Sequence, residues 1–222
     1  MIYRMDGKKV AKLNSRRITM SKTTHIICIL DRSGSMGHMA SEVIGNFNNF
    51  LKEQQELDGK AKLTLALFDD RYDLVYDEID LKKAKPLTET TYFARGMTAM
   101  NDAVGKTLTN KQNKKKAIVL IHTDGLENNS REYTPAGVKT LVEKLKKKWE
   151  FIFVGADIDA QQTSNQYGFT HTLQSHNTGL GMNNSYAMFN NVTSSYRSSG
   201  VVGSAETVAY VAEANANEND VI

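Results

Sequence analysis

The chain has 222 residues, of which 40% are hydrophobic and 24% charged, with 15 glycines and two prolines. This composition is typical of a soluble globular protein and excludes collagen-like and low-complexity chains. The single cysteine, Cys28, excludes an internal disulfide, and no apolar run approaches the roughly 20 residues that cross a bilayer. Because no export signal is visible either, the sequence predicts a cytoplasmic protein.

The formal net charge of +3 is distributed unevenly along the chain. Residues 1–22 contain seven basic side chains and one acidic, so this segment carries +6 and the rest carries −3. The basic balance therefore gives little support for nucleic-acid binding by the folded part. We expect a basic leader at 1–22, one domain at 23–198 and an acidic, partly disordered tail at 199–222. Met20 is an alternative start, which would place residues 1–19 upstream of the true one.

The first part of the chain predicts two parallel strands around a helix, followed by a strand that reverses direction. The continuous apolar run 25–30 is typical of a strand buried on both faces. Apolar residues at steps of three and four then predict a helix over 39–57. The strand-like runs 62–68 and 73–79 are separated by only four residues, too few for a helical crossover. We therefore expect them to pair antiparallel, with the second at a sheet edge.

The second part of the chain alternates helices and strands. Its predicted elements are a helix at 99–108, a strand at 117–123, a helix at 135–145, a strand at 151–156, a strand near 170–173 and a helix at 182–196. Thr134 and Pro135 give the middle helix an N-cap and a favourable first residue. This alternation predicts a doubly wound, Rossmann-like α/β sandwich of three layers with a mostly parallel sheet.

Oxygen-bearing side chains follow several of the predicted strands. Asp31, Ser33 and Ser35 alternate along a glycine-containing loop, so they can converge on one point. Asp124 ends a second strand, and segment 95–102 offers a hydroxyl at the start of a helix. Carboxyl ends of neighbouring parallel strands border the crevice where open α/β sheets bind ligands. A donor set made only of oxygens favours a hard cation such as Mg²⁺, Mn²⁺ or Ca²⁺ over zinc.

These three segments resemble the von Willebrand factor A family and its metal-ion-dependent adhesion site (MIDAS). The Asp-x-Ser-x-Ser motif of the family matches Asp31, Ser33 and Ser35. Its Gly-x-Thr-Ala segment implies that Thr98 is the metal-site threonine, and its Thr-Asp-Gly segment implies that Asp124 is the second acid. The resemblance covers roughly residues 24–198. It implies a six-stranded sheet of order 3-2-1-4-5-6 with one antiparallel edge strand.

The resemblance implies an interaction module and not an enzyme. In the family the serines, and sometimes the threonine, touch the ion, while one or both carboxylates act through bound water. A Glu or Asp of a protein partner then completes the coordination of the cation. Mg²⁺ is the expected ion, with Mn²⁺ and Ca²⁺ as alternatives, and neither a membrane nor a nucleic-acid partner is expected.

Two other functions stay open from the sequence. The run ILDRSGS resembles the aspartate loop of Mg²⁺-dependent haloacid-dehalogenase phosphatases, although Ser33 stands where those enzymes carry the proton-transferring aspartate. An accessory role in an RNA- or stress-associated assembly is the second alternative, although the leader and tail are too short for a separate nucleic-acid module. Helix capping is the simpler interpretation of the loop serines and of Thr98.

Other side chains near these loops have simpler interpretations. Asp69 ends a strand and is expected to form a turn, and Asp102 is expected to be an exposed or capping acid. His38 and His122 flank the site and are expected to be packed or solvated. Four methionines lie near these loops: Met36, Met39, Met97 and Met100. Most of them are expected in the core, and any that are exposed would offer a partner an adaptable apolar rim.

Overall fold

The computed structural model describes residues 23–176, 178–200 and 202. The predicted basic leader at 1–22 and most of the predicted acidic tail lie outside the described residues. Along the described part, strands and helices run in the order β1 (Thr24–Asp31), α1 (Ala40–Glu56), β2 (Ala61–Phe68), β3 (Tyr72–Asp80), α2 (Met100–Lys111), β4 (Ala117–Thr123), α3 (Pro135–Leu145), β5 (Trp149–Ala156), α4 (Ala160–Tyr167), β6 (His171–Ser175) and α5 (Gly179–Ser199). Short 3₁₀ helices cover Gly34–Met39 and Leu81–Lys83.

The strands form one six-stranded sheet in the order β3-β2-β1-β4-β5-β6. Strands β2 and β3 pair antiparallel, and the other four neighbouring pairs are parallel. The short connection between Phe68 and Tyr72 allows only a direct reversal of the chain, which is why β3 forms an antiparallel edge. The predicted strand order and edge strand are therefore confirmed.

The sheet is covered by helices on both faces. Even-numbered residues of β1, such as Ile26 and Leu30, pack against α1 and α5 in one core cluster. The odd-numbered residues Ile27 and Ile29 pack against α2, α3 and α4 in a second cluster. Because both faces of β1 are buried, its sequence is continuously apolar instead of alternating. The predicted three-layer architecture is confirmed.

Helix boundaries agree with the sequence where the capping signals are strong. The hydroxyl of Thr134 accepts a hydrogen bond from the backbone N–H of Gly137, and α3 begins at Pro135 as predicted. Helix α5 begins at Gly179, three residues before the predicted start, because the hydroxyl of Thr178 caps it. No helix within the described ranges is both long enough and apolar enough to cross a membrane.

Helix α4 is an α-helix that the sequence did not predict. Its eight residues, AQQTSNQY, lack a repeating apolar pattern. The helix is instead defined at its ends, where the carboxylate of Asp159 accepts from the backbone N–H of Gln162 and Gly168 ends it in a left-handed conformation (φ 76°). It therefore depends on local capping and on packing against β5 and β6.

Candidate metal centre

The predicted ligands lie where β1 and β4 run side by side at the centre of the sheet. Asp31 is the last residue of β1, and Asp124 directly follows β4. Strands β2 and β3 lie on one side of β1, and strands β4 to β6 lie on its other side. The direction in which the chain adds strands therefore reverses between β1 and β4. A crevice outside the carboxyl ends of strands at such a switch point is the usual ligand site of open α/β sheets.

Both carboxylate oxygens of Asp31 have defined partners. Oδ1 accepts a hydrogen bond from the backbone N–H of Ser33 (2.6 Å), and Oδ2 accepts one from the hydroxyl of Thr123 (2.5 Å). The phenol of Tyr92 donates to the backbone carbonyl of Asp31 (2.5 Å). The side chain of Asp31 is fully buried. Its orientation is thus fixed from both β1 and β4 before any ligand arrives.

The electrostatic environment of Asp31 disfavours its charge. Burial raises the pKa of Asp31 to about 6, and the nearby charge of Asp124 acts in the same direction. Hydrogen bonds from Thr123 and Ser33 oppose this rise only in part. Two carboxylates that repel each other in a buried place are stabilised by a bound cation.

The hydroxyl groups complete a connected set of oxygens. The Oγ atoms of Ser33 and Ser35 lie 3.1 Å apart, and Ser35 donates to Oδ1 of Asp124 at 2.7 Å. Thr98 borders the same space, because a Cβ added at Gly125 would lie 3.0 Å from the Thr98 hydroxyl and 3.8 Å from that of Ser35. The structure thus brings the predicted side chains of three separate loops to one place.

The loop that follows β4 holds Thr98 in position. The side-chain carbonyl of Asn128 accepts from the backbone N–H of Thr98 (2.9 Å). The carbonyl of Thr98 in turn accepts from the backbone N–H groups of Asn128 and Asn129. The N-cap residue of α2 is Ala99 and makes no side-chain capping bond, so the capping interpretation of Thr98 is wrong. Ser33 does precede the first 3₁₀ helix, but its side chain makes no capping bond either.

Asp102 organises the loop before α3. Its carboxylate accepts from three consecutive backbone N–H groups, those of Arg131, Glu132 and Tyr133. Burial acts to raise the pKa of Asp102, but these hydrogen bonds outweigh it and lower the pKa. Asp102 is therefore a capping acid, as the sequence predicted, and it caps the backbone at 131–133.

The sequence interpretation missed a cluster of charged residues beside the site. Asp69 forms the expected turn, since its carboxylate accepts from the backbone N–H of Arg71. The same carboxylate also accepts from Nε of Arg32 at 2.9 Å and from Nε of Arg95 at 2.7 Å. Asp69 and Arg32 are almost entirely buried. No local pattern signals this cluster, because its members are 37 and 26 residues apart in sequence.

His122 lies in β4 behind the site and is packed, as the simpler interpretation expected. Within the described part of the chain neither ring nitrogen has a hydrogen-bond partner. The ring meets Tyr186 edge-on, with centroids 5.8 Å apart. Burial lowers the pKa of His122 to about 4, so the imidazole is neutral at pH 7. It therefore adds no positive charge near Asp124.

Apolar side chains are exposed on the loops around these oxygens. Met97 is 51% exposed and Leu126 is 65% exposed, next to Thr98 and Gly125 respectively. The other three methionines near the loops, Met36, Met39 and Met100, are buried. The exposed apolar rim therefore contains one methionine, Met97, beside Thr98, and one leucine, Leu126, in the loop after β4.

The donor set fits a hard divalent cation. Asp31 and Asp124 supply two negative charges, and the hydroxyls of Ser33, Ser35 and Thr98 supply neutral oxygens. No group of three or more His, Cys, Asp or Glu side chains among the described residues could hold a metal ion, so a site here depends on its hydroxyls. The absence of thiolate and imidazole from the set disfavours a structural zinc centre.

No protein-family model and no curated protein sequence matches the chain. Solved structures do match. A von Willebrand factor type A protein from Catenulispora acidiphila is 13% identical with a TM-score of 0.57, over 78% of this chain and 43% of its own. Proximal thread matrix protein 1 from the mussel byssus, solved with a zinc-occupied MIDAS motif, is 15% identical with a TM-score of 0.54, over 79% and 46%.

A third match is the manganese-loaded TRAP protein of Plasmodium vivax, which is 24% identical with a TM-score of 0.50, over 66% of this chain and 63% of its own. The chain spans less than half the length of the other two proteins. At such identities the likeness concerns the fold. The strand order, the antiparallel edge and these matches together show that the chain has the fold of the von Willebrand factor A domain.

Proposed function

We propose that the chain is a metal-dependent protein-interaction module. In this proposal five side chains hold a divalent cation that binds a Glu or Asp of a partner protein: Asp31, Ser33, Ser35, Thr98 and Asp124. The observation that carries the proposal is the hydrogen-bonded set Ser33–Ser35–Asp124, with the Thr98 hydroxyl beside it, at the switch point of the sheet. The arrangement supports binding because oxygens from three loops already converge without a ligand.

The charges of the donors explain why a carboxylate would be the external ligand. A bound dication supplies a Lewis-acidic position for one more oxygen. The two negative charges of Asp31 and Asp124 equal the two positive charges of the cation. The protein donors therefore have no excess negative charge that would repel a carboxylate of a partner. Gly125 has no side chain to cover the hydroxyls of Ser35 and Thr98, which leaves access from the surface.

Mg²⁺ is the proposed ion, and Mn²⁺ or Ca²⁺ are alternatives. The all-oxygen donors and the two serines suit these hard cations. The zinc-occupied MIDAS motif of the mussel protein supports divalent binding by this type of site, and the structure of the TRAP protein is manganese-loaded. Neither match favours Mg²⁺, so the choice among cations rests on donor chemistry. The expected cytoplasmic location stays a prediction.

We further propose that the site does not catalyse phosphate transfer. A phosphatase of the type considered above needs a proton-transfer group two residues after Asp31, and Ser33 occupies that position. The Ser33 hydroxyl lies against that of Ser35, and the nearby His122 is packed with its pKa lowered to about 4. Hydrolysis of p-nitrophenyl phosphate that Asp31→Asn abolishes would contradict this part of the proposal.

Calorimetric titration with MnCl₂ and MgCl₂ tests the metal site. Asp124→Asn removes one charge and is expected to weaken binding at least about tenfold. The matched control is Asp157→Asn, which changes the same side chain beyond the carboxyl end of β5, where Asp157 is 55% exposed. Equal affinities of wild type and Asp124→Asn would contradict the assignment.

Affinity capture tests the interaction. Proteins retained in MgCl₂ are compared with those retained in EDTA, using wild type and both variants. The proposal expects retention that needs Mg²⁺, is lost in Asp124→Asn and is kept in Asp157→Asn. Retention that persists in EDTA and in Asp124→Asn would place the binding surface elsewhere.

A further inference from the structure

A buried ionic cluster lies beside the proposed metal site and supplies none of its ligands. It consists of Arg32, Asp69 and Arg95, and both arginines donate through Nε to Oδ2 of Asp69 (2.9 and 2.7 Å). The side chain of Asp69 is 0% exposed and that of Arg32 is 2% exposed. The half-exposed carboxylate of Asp73 accepts from the terminal nitrogens of both arginines. A buried charge in such a place persists only when it is paired, so each member depends on the others.

The cluster joins two loops that carry proposed ligands. Arg32 stands between Asp31 and Ser33, whereas Arg95 precedes Thr98 by three residues. The carboxylate of Asp69, which directly follows β2, is the shared acceptor between them. The bridge therefore connects the loop that carries the two serines to the loop that carries Thr98.

Backbone hydrogen bonds follow the same path. The N–H of Arg95 donates to the carbonyl of Arg32 (2.9 Å), and the N–H of Gly34 donates to the carbonyl of Gly96 (3.1 Å). The N–H of Ala99 donates to the carbonyl of Asp69 (2.9 Å). The loop 93–99 is thus attached to both β1 and β2, and the ionic cluster lies at the centre of these attachments.

Neighbouring side chains leave the loop little room for adjustment. Gly96 has a positive φ of 66°, and a Cβ there would lie 2.2 Å from Oδ1 of Asp70. The ring of Phe93 stacks near both guanidinium groups, with its centroid 5.3 Å from Cζ of Arg32 and 5.0 Å from that of Arg95. Cation–π contacts of this kind add to the pairing.

We propose that the cluster of Arg32, Asp69 and Arg95 positions the Thr98 loop against the serine loop and thereby sets which size of cation the site prefers. The inference rests on the proposed function and assigns a positioning role to residues that do not touch the metal. Removing the charge of Asp69 leaves the two guanidinium groups of Arg32 and Arg95 with only the half-exposed carboxylate of Asp73 to balance them. Their repulsion would move the Thr98 loop away from Ser33 and Ser35.

The looser loop penalises a small cation more than a large one. Mg²⁺ requires near-ideal octahedral geometry with oxygens at about 2.0–2.1 Å, whereas Ca²⁺ accepts about 2.3–2.6 Å and variable geometry. A site whose oxygens move apart therefore loses Mg²⁺ affinity first. A substitution that only destabilises the fold would instead lower the apparent affinities for both ions by the same factor, because it lowers the fraction of folded protein.

The test is calorimetric titration of the full chain with MgCl₂ and with CaCl₂. For Asp69→Asn we expect the Mg²⁺ dissociation constant to rise about 10- to 100-fold, the range seen when a group behind a metal ligand is removed. The Ca²⁺ constant is expected to rise less, so that the Mg²⁺/Ca²⁺ ratio of dissociation constants increases at least about fivefold.

The matched control is Glu78→Gln. Glu78 accepts from Lys111 and Lys114 in another ion-pair cluster, near the end of β3 away from the metal loops. This variant is expected to lower the melting temperature while leaving the ratio unchanged. Arg95→Lys is the second variant, because it keeps the charge at a side chain that is 33% exposed but lacks the Nε–H donor to Asp69. It is expected to shift the ratio in the same direction by a smaller factor.

Each outcome is decisive. A larger ratio in Asp69→Asn and Arg95→Lys, but not in Glu78→Gln, supports the positioning role. If wild type binds both ions and the ratio stays constant in the two cluster variants, the positioning role is overturned and the proposed function survives. If Asp69→Asn does not fold, the ratio measured for Arg95→Lys decides alone. If wild type binds neither ion, the proposed function itself is wrong.

Discussion

The substitution Asp31→Asn separates the stability of the fold from binding of the cation. Asp31 is fully buried with a pKa raised to about 6 from an ordinary value of 3.8. Its ionised form is thus costly in the absence of a cation. Asparagine has nearly the same shape and no charge. We therefore expect the variant to be more stable than wild type without metal and to lose metal binding.

The magnitude follows from the displaced pKa. A rise from 3.8 to about 6 corresponds to about 3 kcal/mol of free energy lost by the folded state once Asp31 ionises. This figure already includes the opposing hydrogen bonds from Thr123 and Ser33. The asparagine amide keeps these partners, because the Thr123 hydroxyl can accept from it and donate to the carbonyl of Gly125 (3.1 Å) instead.

We expect Asp31→Asn to raise the free energy of unfolding of the metal-free protein by about 1–3 kcal/mol at pH 7.5, because the carboxylate of wild type is ionised in the folded state at that pH. At about 2–4 °C per kcal/mol for a chain of this size, the melting temperature should rise by several degrees. The assay is thermal unfolding in EDTA and in MnCl₂. Mn²⁺ at about 100 times its dissociation constant stabilises wild type by about 2.7 kcal/mol, so the order of the two proteins should reverse or become equal.

The pH dependence gives an independent check. Because the folded pKa of Asp31 lies above the unfolded one, its contribution to stability is fully present below 3.8 and is lost as the pH rises through about 6. The difference between variant and wild type in EDTA should therefore shrink at low pH. A variant less stable than wild type in EDTA at pH 7.5 would refute the buried-charge argument. Equal stabilisation of both proteins by Mn²⁺ would refute the role of Asp31 in the site.

Three further predictions follow from the geometry. Gly125→Ala places a methyl group 3.0 Å from the Thr98 hydroxyl and should weaken Mn²⁺ binding about tenfold in calorimetry, because the methyl group occupies space beside two donors. The affinity of wild type for Mn²⁺ should fall about tenfold for each pH unit below pH 6 and become constant above it, since the cation displaces a proton from Asp31. An affinity that does not change between pH 5 and 7 would contradict this. Burial acts to raise the pKa of Glu78, but Lys114 and Lys111 lower it to about 2. The contribution of Glu78 to stability is therefore present above pH 4.5 and is lost as the pH falls towards 2. Acid unfolding of Glu78→Gln should lack that part of the pH dependence.

Most of the fold was predictable because the central strands are buried on both faces. A run such as 117–123, which is apolar throughout apart from His122 and Thr123, is typical of a strand between two helical layers. The antiparallel edge was predictable from the short DDRY connection alone. Helix α4 was not predicted because its eight residues lack a repeating apolar pattern. It depends on its caps and on packing against β5 and β6, the two strands that flank it in the chain.

The candidate ligands could be named from sequence, but the way they are held together could not. Each ligand follows a recognisable strand or precedes a helix, so its position is a local property. The bridge between Arg32 and Arg95 through Asp69 is a tertiary property, because the three residues meet only after β1, β2 and the loop before α2 have assembled. The same reason explains why Asp102 was not linked to the loop at 131–133 beforehand.

The edge strand β3 has a consequence for how copies of this chain meet one another. An unpaired strand edge is a template for addition of a strand from another molecule. Strand β3 carries four acidic residues, Asp73, Asp77, Glu78 and Asp80, and its pairing with β2 shifts register on the way, with Glu78 at a φ of 52°. Charges and an irregular register both discourage edge-to-edge aggregation. Contacts with other proteins are thereby directed away from the backbone of this edge and towards side chains elsewhere on the surface.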